Sequence, residues 1–209
     1  MKKTYIIKKV NGPVAEAHWQ TAAVADIDFV PWNGAHPYPY KTTTQLLYTD
    51  EAIYIRQETN ERPLTARYNK PADPVNEDSC MEFFIAPNTD DPQLHYFNFE
   101  INPLGVGQMM FGINRNEFIR PTVDWKIFDI KSVITPDTWQ LTYKIPFSFL
   151  LEYVEKITDE AAGNFYKCGD CSVIEHYATW NPLLCEEEDF HRTEYFGKLI
   201  FEEGISVNR

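Results

Sequence analysis

Two short stretches carry most of the side chains that could do chemistry. In 79–87 (SCMEFFIAP), Glu82 and Phe84 are two residues apart, and in 95–102 (HYFNFEIN) the same spacing links Asn98, Glu100 and Asn102. A spacing of two places side chains on one face of a β-strand. The segment between them, APNTDDPQ, is short and rich in turn formers, so the two strands are expected to pair as neighbours. Their shared face would then carry two carboxylates, two amides and an aromatic ring. Such a set can hydrogen-bond adjacent hydroxyls of a pyranose while the ring covers its C–H face. Glu82 and Glu100 could instead act as the acid and base of glycoside hydrolysis. An outer sheet face that simply meets water would use the same residue types.

A third stretch, 180–201 (WNPLLCEEEDFHRTEYFGKLIF), sets Trp180, Phe190, His191 and Arg192 beside a run of acids ahead of a closing strand. It reads as a rim, with Phe190 as a stacking ring and His191 and Arg192 as polar arms. Trp180 is either a ligand platform or a core anchor, and the EEED run is a solvated loop. The cysteines are Cys80, Cys168, Cys171 and Cys185. The KCGDC spacing allows a structural zinc site completed by His176 or Cys185, or simply reduced thiols.

The elements that must position these residues follow from the period-two pattern. Ile53 and Ile55 oppose Tyr54, Arg56 and Glu58; Met81, Phe83 and Ile85 oppose Cys80, Glu82 and Phe84; Phe97, Phe99 and Ile101 oppose Tyr96, Asn98 and Glu100. Trp139, Leu141, Tyr143 and Ile145 oppose Gln140, Thr142 and Lys144. Each reads as a half-buried strand. The proline-broken stretch 61–78 (ERPLTARYNKPADPVNED) is a long connection within one domain spanning 1–209. Only Pro146 followed by FSFLLEYVEKI suggests a helix, near 147–157. The expected fold is therefore all-β: a two-sheet antiparallel β-sandwich, jelly-roll or immunoglobulin-like, with one short helix.

Composition agrees, with 15% aromatic residues, 14 prolines and 9 glycines, which suit many short strands with firm turns. A net charge of −12 argues against nucleic acid or anionic lipid as partners. No apolar run approaches a membrane span, and the basic start MKKTYIIKKV is interrupted too early for an export signal. The expectation is a cytoplasmic protein by default, or an extracellular one if a leader has been removed.

The ordered segments NEDSCMEFFIAP, HYFNFEINPLG, TWQLTYKIPFSFL, NFYKCGD, ATWNP and FHRTEYFGKLIF resemble carbohydrate-binding module family 9, from Trp19 to Phe201. The resemblance implies a DOMON-like β-sandwich without catalytic activity that grips plant-type oligo- or polysaccharide, often at chain ends, and works beside glycoside hydrolases. It implies no required cofactor, although calcium can be bound structurally. The acid pair of the family's D-S-x-x-E motif falls on Asp78 and Glu82, and its polar-ligand strand on Asn98, Glu100 and Asn102. The two positions of its aromatic clamp fall on Val75 and Phe190, and that of a basic ligand on Glu100. Tyr68, Tyr96 and Trp180 are nearby aromatics that could replace the first ring. A module that has lost sugar binding and serves as a protein-interaction or structural sandwich is the alternative, ahead of an enzyme using Glu82 and Glu100.

Overall fold

Alternation of apolar and polar residues makes each strand a two-faced ribbon, and the apolar faces of two sheets close on one another. The computed structural model describes residues 2–32 and 38–205, and the backbone of 207–208. Strand β1 (Thr4–Lys9) leads through a one-turn helix, α1 (Glu16–Trp19), to the two-residue β2 (Ala25–Asp26). Next come β3 (Thr42–Tyr48), β4 (Ala52–Thr59), β5 (Cys80–Ala86), β6 (Tyr96–Ile101), β7 (Gly107–Gly112) and β8 (Phe118–Ile119). The chain continues with β9 (Lys131–Ile134), β10 (Trp139–Pro146), α2 (Phe147–Leu150), β11 (Lys156–Ile157), β12 (Glu160–Gly169), β13 (His176–Thr179), β14 (Gly197–Phe201) and β15 (Val207–Asn208).

The strands form one curled sheet in the order β8-β7-β6-β5-β12-β14-β1-β3-β4-β10-β9, with β13 on β12, β2 on β3, and a small separate β11–β15 pair. Strand β1 joins the two leaves. Its residues Thr4–Ile7 pair in parallel with Lys198–Phe201, and Lys8 and Lys9 then pair in parallel with Leu47 and Tyr48. The remaining ladders are antiparallel. Folding at β1 sets Met81, Phe83, Phe97 and Phe99 of one leaf in the same core as Ile53, Ile55, Leu141 and Tyr143 of the other, as a β-sandwich requires. No helix among the described residues is long and apolar enough to cross a membrane.

Two expectations are corrected. The helix near 147–157 is a single turn, Phe147–Leu150. Phe149 and Tyr153 both turn inward onto Phe97, each 5.6 Å away, so core packing sets the path where helix propensity alone is weak. Strands β5 and β6 are not half-buried, because every residue in both is buried. Their second face is roofed by the segments that carry Asn76, Asp170, Tyr177 and Phe190.

The connection 61–78 contains one 3₁₀ turn, Val75–Glu77, and no strand. It is anchored inside the sandwich. Glu61 accepts a hydrogen bond from Ser79 Oγ at 2.6 Å and pairs with Lys167 Nζ at 2.6 Å, while Lys167 also reaches His176 Nε2 at 2.9 Å. All four side chains are buried, so each charge has a partner where water cannot reach it.

Candidate functional site

The outward face of β12, β5, β6 and β7 presents side chains in rows that follow from strand register. Tyr166 opposes Glu82, Glu82 opposes Glu100, and Glu100 opposes Gln108, so these four form one row across four strands. The next row runs Asn164, Phe84, Asn98 and Met110. At the far end of β5, Cys80 opposes Cys168. The rows floor a pocket of about 480 Å³, a usual size for a small-ligand site.

A chain of hydrogen bonds holds the floor rigid. Glu100 accepts from Asn98 Nδ2 at 2.5 Å and from Gln108 Nε2 at 2.6 Å. Gln108 Nε2 also donates to Asn76 Oδ1 at 2.9 Å, and Asn76 Nδ2 donates to Asp170 at 2.9 Å. Arg120 Nη1 reaches Gln108 Oε1 at 3.3 Å. Glu82 is different: its hydrogen-bond partner among the described residues is the Cys168 thiol, 2.7 Å from Oε1. Burial, reinforced by the Glu100 charge, pushes the Glu82 carboxyl well above the usual range. Burial likewise raises Glu100, to about 7, against the opposing effect of the Gln108 hydrogen bond. The floor thus offers carboxyl oxygens that gain from an incoming donor.

Aromatic rings form one wall. Phe190 lies stacked between Tyr166 (4.3 Å between centroids) and Trp32 (5.4 Å), and Tyr177 meets Trp32 edge-on at 5.3 Å. With both of its faces engaged, Phe190 supports the wall, and Trp32 is the ring that extends it outward. Across the pocket, Phe118 carries the Arg120 guanidinium over its ring at 5.5 Å. His191 packs against Phe84 at 5.0 Å, and its Nδ1 lies 2.7 Å from the Tyr96 hydroxyl. Burial holds the imidazole neutral, with a pKa lowered to about 4.

Of the residues expected from sequence, Glu82, Phe84, Glu100, Phe190 and His191 line this pocket. Asn98 lies beneath it, orienting Glu100 and accepting from Met110 N at 2.5 Å. The others lie elsewhere. Asp78 is sealed beneath the 61–78 connection, accepting from Arg67 N, Tyr68 N and Asn102 Nδ2 at 2.9–3.1 Å. Asn102 follows the end of β6, where its Oδ1 closes a turn by accepting from Leu104 N and Val106 N. Trp180 packs inward against Phe165 at 5.2 Å and Tyr5 at 6.4 Å, as a core anchor. Arg192 is paired with Glu194 at 2.7 Å outside the pocket. Val75, the first clamp position, is fully buried beside Cys80 and Cys168.

The KCGDC zinc arrangement does not form. Cys171 is exposed, and His176 points to the opposite face of β12 to meet Lys167. Among the described residues, the one group of three ligand side chains close enough to share an ion is Cys80, Glu82 and Cys168. Two sulfurs make it unsuitable for calcium, which takes six to eight oxygens.

Sequence reading missed Trp32, Asn76, Gln108, Arg120, Asp170 and Tyr177. Gln108 and Met110 had a signal, their two-residue spacing in GQMMFG, but the strand is short and bounded by glycines.

The sequence pattern of carbohydrate-binding family 9 matches residues 15–201. Among solved structures, a Bacteroides uniformis ATCC 8492 protein described as a candidate carbohydrate-binding protein is 28% identical, with a TM-score of 0.82 covering 97% of this chain and 100% of that one. A family 9 carbohydrate-binding module from Caldicellulosiruptor kristjanssonii in complex with glucose is 13% identical, with a TM-score of 0.64 and 95% of each chain covered. The module in complex with cellotriose is 13% identical, with a TM-score of 0.67 over 96% of this chain and 94% of that one. At that identity the likeness to the module is one of fold. No curated protein matches the chain.

Proposed function

Because the chain belongs to carbohydrate-binding family 9, we propose that the pocket over β12, β5, β6 and β7 is its sugar site and that the site binds without breaking bonds. The carrying observation is the row Tyr166–Glu82–Glu100–Gln108, in which buried carboxyl groups face a pocket walled by Trp32. Adjacent hydroxyls of a sugar ring match adjacent acceptors on such a row, and Trp32 offers an apolar face for C–H groups.

Glu82 and Glu100 are side-by-side neighbours on one floor. Side-by-side carboxyl groups on one floor suit two hydroxyls of the same sugar ring, which favours binding over the hydrolysis that two carboxyl groups on either side of a scissile bond would perform. A pocket of about 480 Å³ suits one end of a chain better than a long internal stretch. Since fold relatives are complexes with glucose and cellotriose, gluco-configured oligosaccharides are the ligands to try first.

Calorimetric titration with cello-, xylo- and galacto-oligosaccharides tests this reading. Saturable binding to at least one neutral series is expected, and it should persist in chelator because no ion is assigned to the sugar contact. If the folded protein binds none of them, the sugar reading fails and a protein-interaction sandwich takes its place.

Two further outcomes are expected. Trp32→Ala should weaken sugar binding about fivefold, consistent with a stacking contribution of about 1 kcal/mol, and lower the melting temperature by a few degrees because the ring also packs on Phe190 and Tyr177 and donates to the Cys185 carbonyl. Uronic-acid oligosaccharides should bind at least about tenfold more weakly than neutral counterparts. The reason is the lining charge: at pH 8, above the Glu100 pKa of about 7, Glu100, Asp170, Glu188 and Asp189 outweigh Arg115 and Arg120, while burial favours the neutral form of Glu82. Equal affinity for neutral and uronic chains would remove the electrostatic part of the argument.

A further inference from the structure

The sugar reading leaves two thiols unexplained at one end of the floor. Cys80 and Cys168 are direct partners on the antiparallel strands β5 and β12, and Glu82 is two residues along β5 on the same face. One ligand atom from each of the three lies within 4.8 Å of the other two, and all three residues are buried. The Glu82 carboxyl has only a thiol as hydrogen-bond partner among the described residues, and Glu100 stands opposite it. The cation nearest in sequence, Lys167, points through β12 to the other face, where Glu61 engages it. On this face the cation hydrogen-bonded to the floor, Arg120, is exposed and reaches Gln108 rather than Glu82 or the two thiols.

We propose that Cys80, Cys168 and Glu82 form a binding site for a zinc-type divalent cation at the floor of the pocket. The donor set is two soft sulfurs and one carboxylate oxygen, which suits zinc or its substitutes cobalt and cadmium. A tetrahedral ion with bonds of about 2.0–2.3 Å spaces its ligands by about 3.3–3.8 Å. Neighbouring β-strands already hold one ligand atom of each residue within 4.8 Å of the others. The 2.7 Å gap between Cys168 Sγ and Glu82 has to open by roughly 1 Å once the thiol proton leaves. On binding, both thiols lose their protons to solvent, the sulfurs and the carboxylate form coordinate bonds, and no oxidation occurs. Glu82 and Cys168 line the pocket, so the ion's remaining position faces the cavity and can hold water.

The test uses the full chain under reductant, without sugar, titrated with cobalt(II). The Cys171→Ser, Cys185→Ser double variant leaves Cys80 and Cys168 as the only thiols. It should show a thiolate-to-cobalt charge-transfer band together with tetrahedral ligand-field bands, saturating at one equivalent and bleached by zinc. Adding Cys168→Ser should cut the charge-transfer intensity by at least about half, because Cys80 is then the one remaining thiolate, and weaken cobalt affinity at least about tenfold, and zinc should protect Cys80 and Cys168 of the double variant from alkylation. If the folded double variant gives no thiolate band, or if Cys168→Ser leaves the band's intensity and the cobalt affinity unchanged, the site does not exist. Because the double variant retains all three proposed ligands, it decides even where the Cys168 variant fails to fold: a saturating thiolate band with zinc protection of both thiols supports the site, and the absence of either overturns it. Sugar titrations in chelator report on the sugar reading independently of these outcomes.

Discussion

Replacing Glu82 and Glu100 together by glutamine is expected to weaken sugar binding about 100-fold while making the metal-free protein more stable at alkaline pH. The loss follows from two carboxyl hydrogen bonds to sugar hydroxyls, that of Glu100 charge-assisted above its pKa of about 7 and that of Glu82 made by a carboxyl whose neutral form burial favours, together worth about 3 kcal/mol. About 3 kcal/mol corresponds to about 100-fold. The gain follows from the same burial that creates the site. In the folded protein Glu100 has a pKa near 7, raised by burial, so folding favours its protonated form. Its contribution to stability is therefore present at pH 4–5 and is lost as pH rises through about 7. Glutamine never ionises. The variant should gain on the order of 3 kcal/mol over the wild type at pH 8 and little at pH 5, read by denaturant unfolding in chelator. A variant that loses binding and also loses stability at pH 8 would mean that these acids hold the fold together.

Asp78→Ala is expected to behave in the opposite way, destabilising the protein by about 3–5 kcal/mol while leaving sugar affinity within about twofold in the molecules that remain folded. Its carboxylate is fully buried and accepts from Arg67 N, Tyr68 N and Asn102, and the Arg67 guanidinium lies 3.2 Å away. Removing it leaves several donors unsatisfied and releases the 61–78 connection. Thermal unfolding and calorimetry on the same sample separate the two effects. A large loss of affinity with unchanged stability would return Asp78 to the ligand set that the family resemblance implied.

The difference between these two acids marks how far the sequence could be read. Alternation in 52–59, 80–86, 96–101 and 139–146 is a local signal, and it placed Glu82, Phe84, Asn98 and Glu100 on one face of the correct sheet. Asn102 continues that alternation, but β6 ends at Ile101, and one residue beyond the ladder its side chain is recruited by a turn. Asp78 precedes β5 and is claimed by backbone amides of a loop that no periodicity describes. Phe190 read as a rim ring and Trp180 as either platform or core anchor; the fold sends Trp180 into the core beside Phe165 and leaves Phe190 on the outer face over Tyr166.

Trp32 was beyond local reading for a different reason. It is far from every motif in the chain and reaches the wall only because the tertiary fold brings it onto Phe190. The cysteine signal was similarly misleading. The two-residue gap in KCGDC suggested a metal-ligand pair, whereas pairing of β5 with β12 brings Cys168 opposite Cys80 and leaves Cys171 exposed.

The measurement that bears most directly on the central claim is a crystal structure of the protein soaked with cellotriose in chelator. The account predicts a sugar ring over the Glu82–Glu100 row, with hydroxyls within hydrogen-bond reach of both carboxyl groups and a C–H face toward Trp32. Sugar bound on another surface with this pocket vacant, or no bound sugar at concentrations that saturate in calorimetry, would contradict it.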